Sequence, residues 1–182
     1  MGQKLQAIAP AESDLQQVIE ELTDTMREQF KEQFALINKH FSETFKRLFG
    51  GGHAELVLRQ DDGEKLDVLE CGIDIVAQPP GKRLQNLSLM SGGERALTAI
   101  AILFAILLLK PTPFCVLDEI EAALDEANVS QFAQFLAEFA KETQFVIITD
   151  RKGTMEAGDT LYGIAMEEKG VSRQVSMRLS AS

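Results

Sequence analysis

With 182 residues, 45% of them hydrophobic and 25% charged, the chain has room for one domain with a proper core and the balance of a soluble globular protein, neither disordered nor fibrous. Its formal net charge of -10 opposes a nonspecific hold on nucleic acid, which rests on clustered Lys and Arg displacing counterions from phosphates. Cys71 and Cys115 are too few for a disulfide framework or a metal site and read as buried free thiols in a reducing cytoplasm. The longest apolar stretch, residues 96–109, is broken only by Thr98 and falls short of the roughly 20 residues a bilayer span takes, so it reads as a buried helix with no membrane role. The start, Met1-Gly2-Gln3-Lys4, leads into no apolar segment and gives no secretory signal; its abruptness reads as a boundary cut from something longer, in a cytoplasmic protein.

In chain order, residues 13–48 carry a helical pattern. Leu15, Ile19, Leu22 and Met26 alternate spacings of four and three, the seam of a coiled coil. Successive spacings of four from Met26 through Phe30 to Phe34 break that seam and lead to a Phe-rich face, as suits a helix leaving a two-stranded coil to dock on a globular body. An ordinary amphipathic surface helix accounts for the same spacing, but the length and the lack of Gly or Pro favour a coil exit. Gly50-Gly51-Gly52 stops the helix. Residues 54–59 then read as a strand, Asp61-Asp62-Gly63 as a hairpin turn, residues 65–69 as the antiparallel return and residues 73–77 as a third strand, together a small β layer. Gln78-Pro79-Pro80-Gly81-Lys82-Arg83 is a loop.

Ser91 is a good N-cap, and Glu94 three places on completes a capping box ahead of an apolar helix to Leu109, which Lys110-Pro111-Thr112-Pro113 ends. Residues 114–117 and 145–148 are short continuous apolar runs, as expected of strands buried on both faces, and residues 126–140 between them put Val129, Phe132, Phe135, Leu136 and Phe139 on one helical face. Strand, helix, strand implies a right-handed crossover and parallel core strands. Residues 161–166 and 171–179 around Glu168-Lys169-Gly170 read as a closing hairpin. The fold class is therefore α/β, with parallel core strands, a small antiparallel β layer and a long leading helix.

Asp118 and Glu119 fall just past the carboxyl end of an apolar strand, where open α/β sheets hold their ligands. That is the Walker B pattern: the first carboxylate can hold Mg²⁺ directly or through water, and the second can face an attacking water. A pair of acids capping a turn accounts for the same dipeptide. A capping box likewise accounts for Ser91 and Glu94, but not for Gly92 and Gly93, because each glycine lowers helix stability by about 1 kcal/mol relative to Ala. Two bare residues in a first turn beside a serine hydroxyl make a phosphate-binding surface. Yet no stretch reads G-x-x-x-x-G-K-[ST], the loop that cradles a nucleotide's phosphates, so another polypeptide segment must complete the site.

Leu87-Ser88-Leu89-Met90-Ser91-Gly92-Gly93-Glu94-Arg95-Ala96-Leu97-Thr98 resembles the ABC ATPase signature in its chromosome-structural form. Val116-Leu117-Asp118-Glu119-Ile120-Glu121-Ala122-Ala123-Leu124-Asp125 resembles Walker B running into the D-loop. With Arg151-Lys152-Gly153-Thr154-Met155 after the last core strand, nearly the whole chain resembles the C-terminal half of the ATPase head of a bacterial SMC (structural maintenance of chromosomes) protein. On that resemblance, residues 1–49 are the coiled-coil exit helix and residues 50–182 the C-terminal lobe with signature, Walker B, D-loop and switch. The resemblance implies an N-terminal half carrying the P-loop, ATP and Mg²⁺ as ligands, and two heads that sandwich two ATP molecules. It assigns Asp118 to magnesium and Glu119 to general base or water positioning, on the nucleotide of their own head. Ser91, Gly92, Gly93 and Glu94 belong to the signature, the first three touching the γ-phosphate held by the opposite head, and Asp125 is the D-loop acid linking the two sites. It also implies a kleisin subunit whose winged-helix domain pairs with the cap side, through the early β layer or the closing hairpin, and DNA contact through the full complex, in chromosome condensation and segregation at the nucleoid.

One position departs from that pattern. Similar bacterial sequences read Thr-His-Arg-Lys-Gly-Thr-Met in the switch, and here Asp150 stands in place of the histidine. A carboxylate accepts but does not donate and repels a γ-phosphate, so either this is a natural or an engineered change, or the switch contact is made otherwise, as by Arg151. Two other readings remain open: a head half of a coiled-coil DNA-repair ATPase, and a noncatalytic interaction module of the same fold.

Overall fold

The computed structural model describes residues 2–59 and 67–179. Helix α1 spans Gly2–Leu48, beginning upstream of the periodic stretch that starts at Ser13. Its seam residues Leu15, Ile19, Leu22 and Met26 are exposed, whereas Phe41, Phe45 and Leu48 are fully buried. The change of spacing after Met26 thus marks the passage from an open stripe to a docked face. Gly50, Gly51 and Gly52 follow at φ 65°, 145° and 81°. Gly52 cannot be replaced: a Cβ there lies 2.3 Å from the Gln78 carbonyl oxygen.

Strands β1 (His53–Leu58), β2 (Ile73–Gln78) and β3 (Gln85–Asn86) form an antiparallel sheet in that order, with Leu56 opposite Ile75. The free edge of β1 is covered by α1, where the Asn38 amide accepts from Leu56 N at 2.8 Å and donates to Leu56 O at 3.3 Å. The expected turn at Asp61-Asp62-Gly63 lies outside the described residues. The expected return strand over residues 65–69 is corrected: its described part, from Asp67, is a turn, and β1 pairs with β2 instead. The Asp67 side chain accepts from Leu69 N at 3.2 Å, its carbonyl accepts from Glu70 N at 2.8 Å, and Arg27 of α1 grips its carboxylate. That local side-chain bonding competes with a strand and wins. Arg27 also holds the Asp67 carboxyl below its usual range.

Helix α2 (Gly92–Leu109) is the centre of the core. Phe104 meets Phe135 and Phe139 of α3 (Glu126–Phe139) edge-on, each at 5.0 Å between ring centroids. Leu97, Ala101 and Phe104 are fully buried, so one face of this strongly apolar 18-residue helix belongs to the core; the expectation of a buried helix is corrected, because only 33% of it is buried and Ile106 and Leu108 are exposed. Strands β4 (Phe114–Asp118) and β5 (Gln144–Ile148) pair in parallel across α3, with Asp118 opposite Ile148. The short helix α4 (Lys152–Glu156) and the hairpin β6 (Thr160–Glu168) and β7 (Val171–Arg178) complete the chain.

The expectation that β4 and β5 are buried on both faces is corrected. Leu117 is buried, and Cys115, Phe145 and Ile147 are half-buried and pack against the core. The alternate residues, Phe114 (60% exposed), Val116 (55%), Val146 (47%) and Ile148 (52%), face outward. The continuous apolar run is real, but helices of this chain cover one face only, and a parallel pair of this composition requires cover on both. Cys71 and Cys115 are half-buried rather than buried.

Candidate functional site

Two groups of residues sit at one end of the molecule. The first is the start of α2. Ser91 is extended at φ −65°, ψ 162°, and its capping box is closed: Glu94 N donates to Ser91 Oγ at 3.4 Å and Ser91 N donates to Glu94 Oε2 at 3.1 Å. The Ser91 hydroxyl also donates to Glu94 Oε2 at 2.8 Å. Lys82, from the proline-glycine loop, reaches Glu94 Oε1 at 2.8 Å, and chiefly for that reason the Glu94 carboxyl sits below its ordinary range. The two glycines differ. A Cβ on Gly92 meets nothing within 4 Å, so its bare backbone is open to a ligand; a Cβ on Gly93 comes within 3.2 Å of the Ala123 carbonyl oxygen. Gly93 is bare because the segment after Glu119 lies against it.

The second group is the carboxyl end of the parallel pair. Asp118 ends β4 and is exposed. Glu119 follows at φ 47°, the one non-glycine residue with positive φ among those described, and its N–H donates to Ile148 O at 2.9 Å. A left-handed glutamate at a strand end is strain that turns the side chain out of the sheet path, the kind of outlier that clusters at working sites. Neither carboxylate caps the turn: that turn is closed by backbone bonds, Ala122 N to Glu119 O at 3.0 Å and Leu124 N to Glu121 O at 2.9 Å. The simple turn-capping account of these acids is therefore not what the geometry shows.

Asp125 caps α3, its Oδ1 accepting from Asn128 N at 2.8 Å. Asp150 follows β5 at the same sheet end, its side chain 85% exposed and 3.9 Å from Arg151 Nε. Arg151 is turned the other way through Nη2, which donates to the carbonyls of Ala122 at 2.7 Å and Leu124 at 3.4 Å. Three residues outside the sequence-derived set belong to this end: Lys82, Glu121 and Thr149. Glu121 was visible as a third acid beside Asp118 and Glu119, but its buried place, with Thr149 donating to it, was not. Among the described residues no three His, Cys, Asp or Glu side chains converge as a metal cage. The single Asp118 carboxylate suits Mg²⁺, which takes one or two protein carboxylates and completes its shell with phosphates and water.

The chain as a whole has counterparts among known proteins. The RecF/RecN/SMC N-terminal domain profile matches residues 11–173. The chain belongs to this family. Within the SMC branch it is 54% identical over 179 residues to the chromosome partition protein Smc of Bacillus subtilis strain 168, covering 98% of this chain and 15% of that relative. The chain therefore spans only a small part of its curated SMC relatives. A solved chain from work on ATP-driven dimerization and DNA-stimulated activation of SMC ATPases superposes with TM-score 0.76 and 41% identity, covering 83% of this chain and 89% of that one. An SMC head bound to the C-terminal winged-helix domain of ScpA superposes with TM-score 0.73 and 43% identity, covering 82% of this chain and 44% of that one. The fold is that of an SMC head, with its parallel strands, antiparallel layer and long leading helix.

Proposed function

We propose that this chain is the C-terminal half of an SMC ATPase head, which with an N-terminal half carrying the P-loop binds and hydrolyses ATP between two engaged heads, driving chromosome condensation and segregation. The observation that carries the reading is the outer face of β4 and β5: four apolar side chains stand in water beside Asp118 and Glu119. A second lobe laid on that face covers them and brings a phosphate loop to the acids. The match to less than half of a solved head supports the same division.

In this reading Asp118 would hold Mg²⁺ for the nucleotide of its own head, and the bound ion would supply charge neutralisation for the phosphates. Glu119 orients and deprotonates the attacking water. Ser91 and the open backbone of Gly92, with Gly93 next in the same side-chain-free turn, meet the γ-phosphate of the opposite head, while Glu94 holds Ser91 in place. Asp125 carries the state of one site toward the other. ATP thus joins the heads before its hydrolysis separates them. The exposed β6–β7 hairpin offers the surface for a kleisin winged-helix domain, consistent with the ScpA-bound relative, and DNA is engaged by the whole complex at the nucleoid.

Mixing this chain with an N-terminal half tests the reading. Alone it neither binds ATP tightly nor turns it over, and the second half restores both. Appreciable magnesium-dependent turnover by this chain alone would falsify the assignment.

A further inference from the structure

The third acid of the run has no part in the mechanism above. Glu121 is 1% exposed, one carboxylate oxygen accepts the Thr149 hydroxyl, and the other, Oε2, meets no donor. A buried carboxylate with an orphan oxygen lowers stability relative to an apolar side chain of similar volume, so packing does not explain this glutamate. Its surroundings do. Thr149 Oγ1 accepts from Arg151 N at 2.9 Å, which fixes the backbone on both sides of Asp150. The Arg151 guanidinium returns to the Ala122 and Leu124 carbonyls, beside Asp125. Glu121, Thr149 and Arg151 therefore close a ring joining the segment that carries Asp150 to the segment that runs from Glu119 to Asp125.

We propose that Glu121, Thr149 and Arg151 form a clasp that makes the switch and the D-loop one unit, so that a displacement of the D-loop by an engaging second head shifts Asp150 and the water-orienting Glu119 together. The inference rests on the half-head reading and adds positioning residues to it; none of the three is a catalytic residue. Gly93 lies beside the ring, since a Cβ added there would come within 3.2 Å of the Ala123 carbonyl oxygen in the same loop. A bonded ring transmits displacement where a loosely packed loop absorbs it, because its members have few alternative arrangements.

The test uses the head completed by its N-terminal half. Thr149→Val and Arg151→Gln are each expected to lower kcat about tenfold while leaving KM for ATP within about twofold, and the double variant to be no worse than the poorer single, as members of one unit behave. Glu121→Gln keeps an acceptor for Thr149 and preserves the shape, so it retains most of the rate. Unchanged kcat in folded Thr149→Val, a loss confined to KM, or additive losses overturn the proposal. Amide exchange gives a readout independent of turnover: Thr149→Val accelerates exchange at Ala122, Leu124 and Arg151 together, and unchanged exchange at the first two overturns the clasp itself. Absence of turnover in the unmodified completed head overturns the half-head reading, whereas normal turnover there with unaffected variants overturns the clasp alone.

Discussion

Lys82 and Glu94 meet at 2.8 Å across the entrance to α2, and the carboxylate that Lys82 holds is the one that accepts the Ser91 hydroxyl. The serine is thereby oriented from behind by a charged pair. Its proton points at Glu94 in the chain by itself, so donation to a phosphate requires only rotation about the serine side chain.

The pair predicts a pH dependence. Glu94 has a folded pKa below its ordinary value, first because of the bond from Lys82. A depressed carboxylate stabilises the fold above its unfolded pKa, about 4.3, and the contribution is lost as pH falls through the lower folded value. Urea midpoints measured from pH 7 downward should fall on the acid side, and Lys82→Ala should flatten that part of the curve. At pH 7 the loss should be about 0.5 kcal/mol, because Lys82 is half exposed and solvent screens it. A midpoint curve that Lys82→Ala leaves unaltered contradicts the assignment.

The two glycines separate folding from function. Ala at Gly92 meets no neighbour, and removing a glycine from a helix favours the fold by up to about 1 kcal/mol. Gly92→Ala should therefore be as stable as the parent or more so, yet defective in ATP-dependent head dimerisation, since its methyl occupies the ligand side. Gly93→Ala drives a Cβ to 3.2 Å from Ala123 O and should disturb the D-loop as well. Thermal unfolding beside size-exclusion with ATP distinguishes them, and undiminished dimerisation of Gly92→Ala removes its backbone from the ligand surface.

The outward face of β4 and β5 offers a third measurement. Val116→Glu places a charge on a side chain already 55% exposed, so the chain by itself should lose less than about 1 kcal/mol. Association with the N-terminal half should fall by a hundredfold or more, because a lone charge becomes buried on pairing. Affinity measured by calorimetry decides it; equal binding by the variant shows that the second lobe sits elsewhere.

How much of this was legible depended on the reach of each interaction. The capping box at Ser91 and Glu94 is read from residues three apart and appears as written. The glycine stop after Leu48 and the apolar runs of β4 and β5 are equally local. The partner of β1 does not follow from the local pattern, because Asp67 is captured by Arg27, 40 residues away, and a turn signal followed by an apolar stretch gives no sign of such a contact. The cover on β4 and β5 is hidden for a different reason: composition states that both faces require burial, not which polypeptide supplies it. Glu121 is plain in the sequence as an acid, but its burial against Thr149, 28 residues on, is not.

Asp150 is the sharpest case left. Its carboxylate is 85% exposed, and its nearest cation is Arg151 Nε at 3.9 Å, too long for a hydrogen bond. No buried network depends on it, so Asp150→His should change the stability of the chain by less than about 0.5 kcal/mol. At the nucleotide the change should be large. A carboxylate at this sheet end adds a negative charge near the phosphates and supplies no donor, whereas imidazole donates from one ring nitrogen in its neutral form and from both when charged. Asp150→His in the completed head should therefore lower KM for ATP and raise kcat, by about tenfold combined for one charge-assisted hydrogen bond gained and one repulsion removed. Asp150→Asn, which removes the charge and offers a shorter donor, should fall between the two. Steady-state turnover of the three proteins orders them, and if Asp150→His is slower than the parent, the aspartate is itself a working part of the switch.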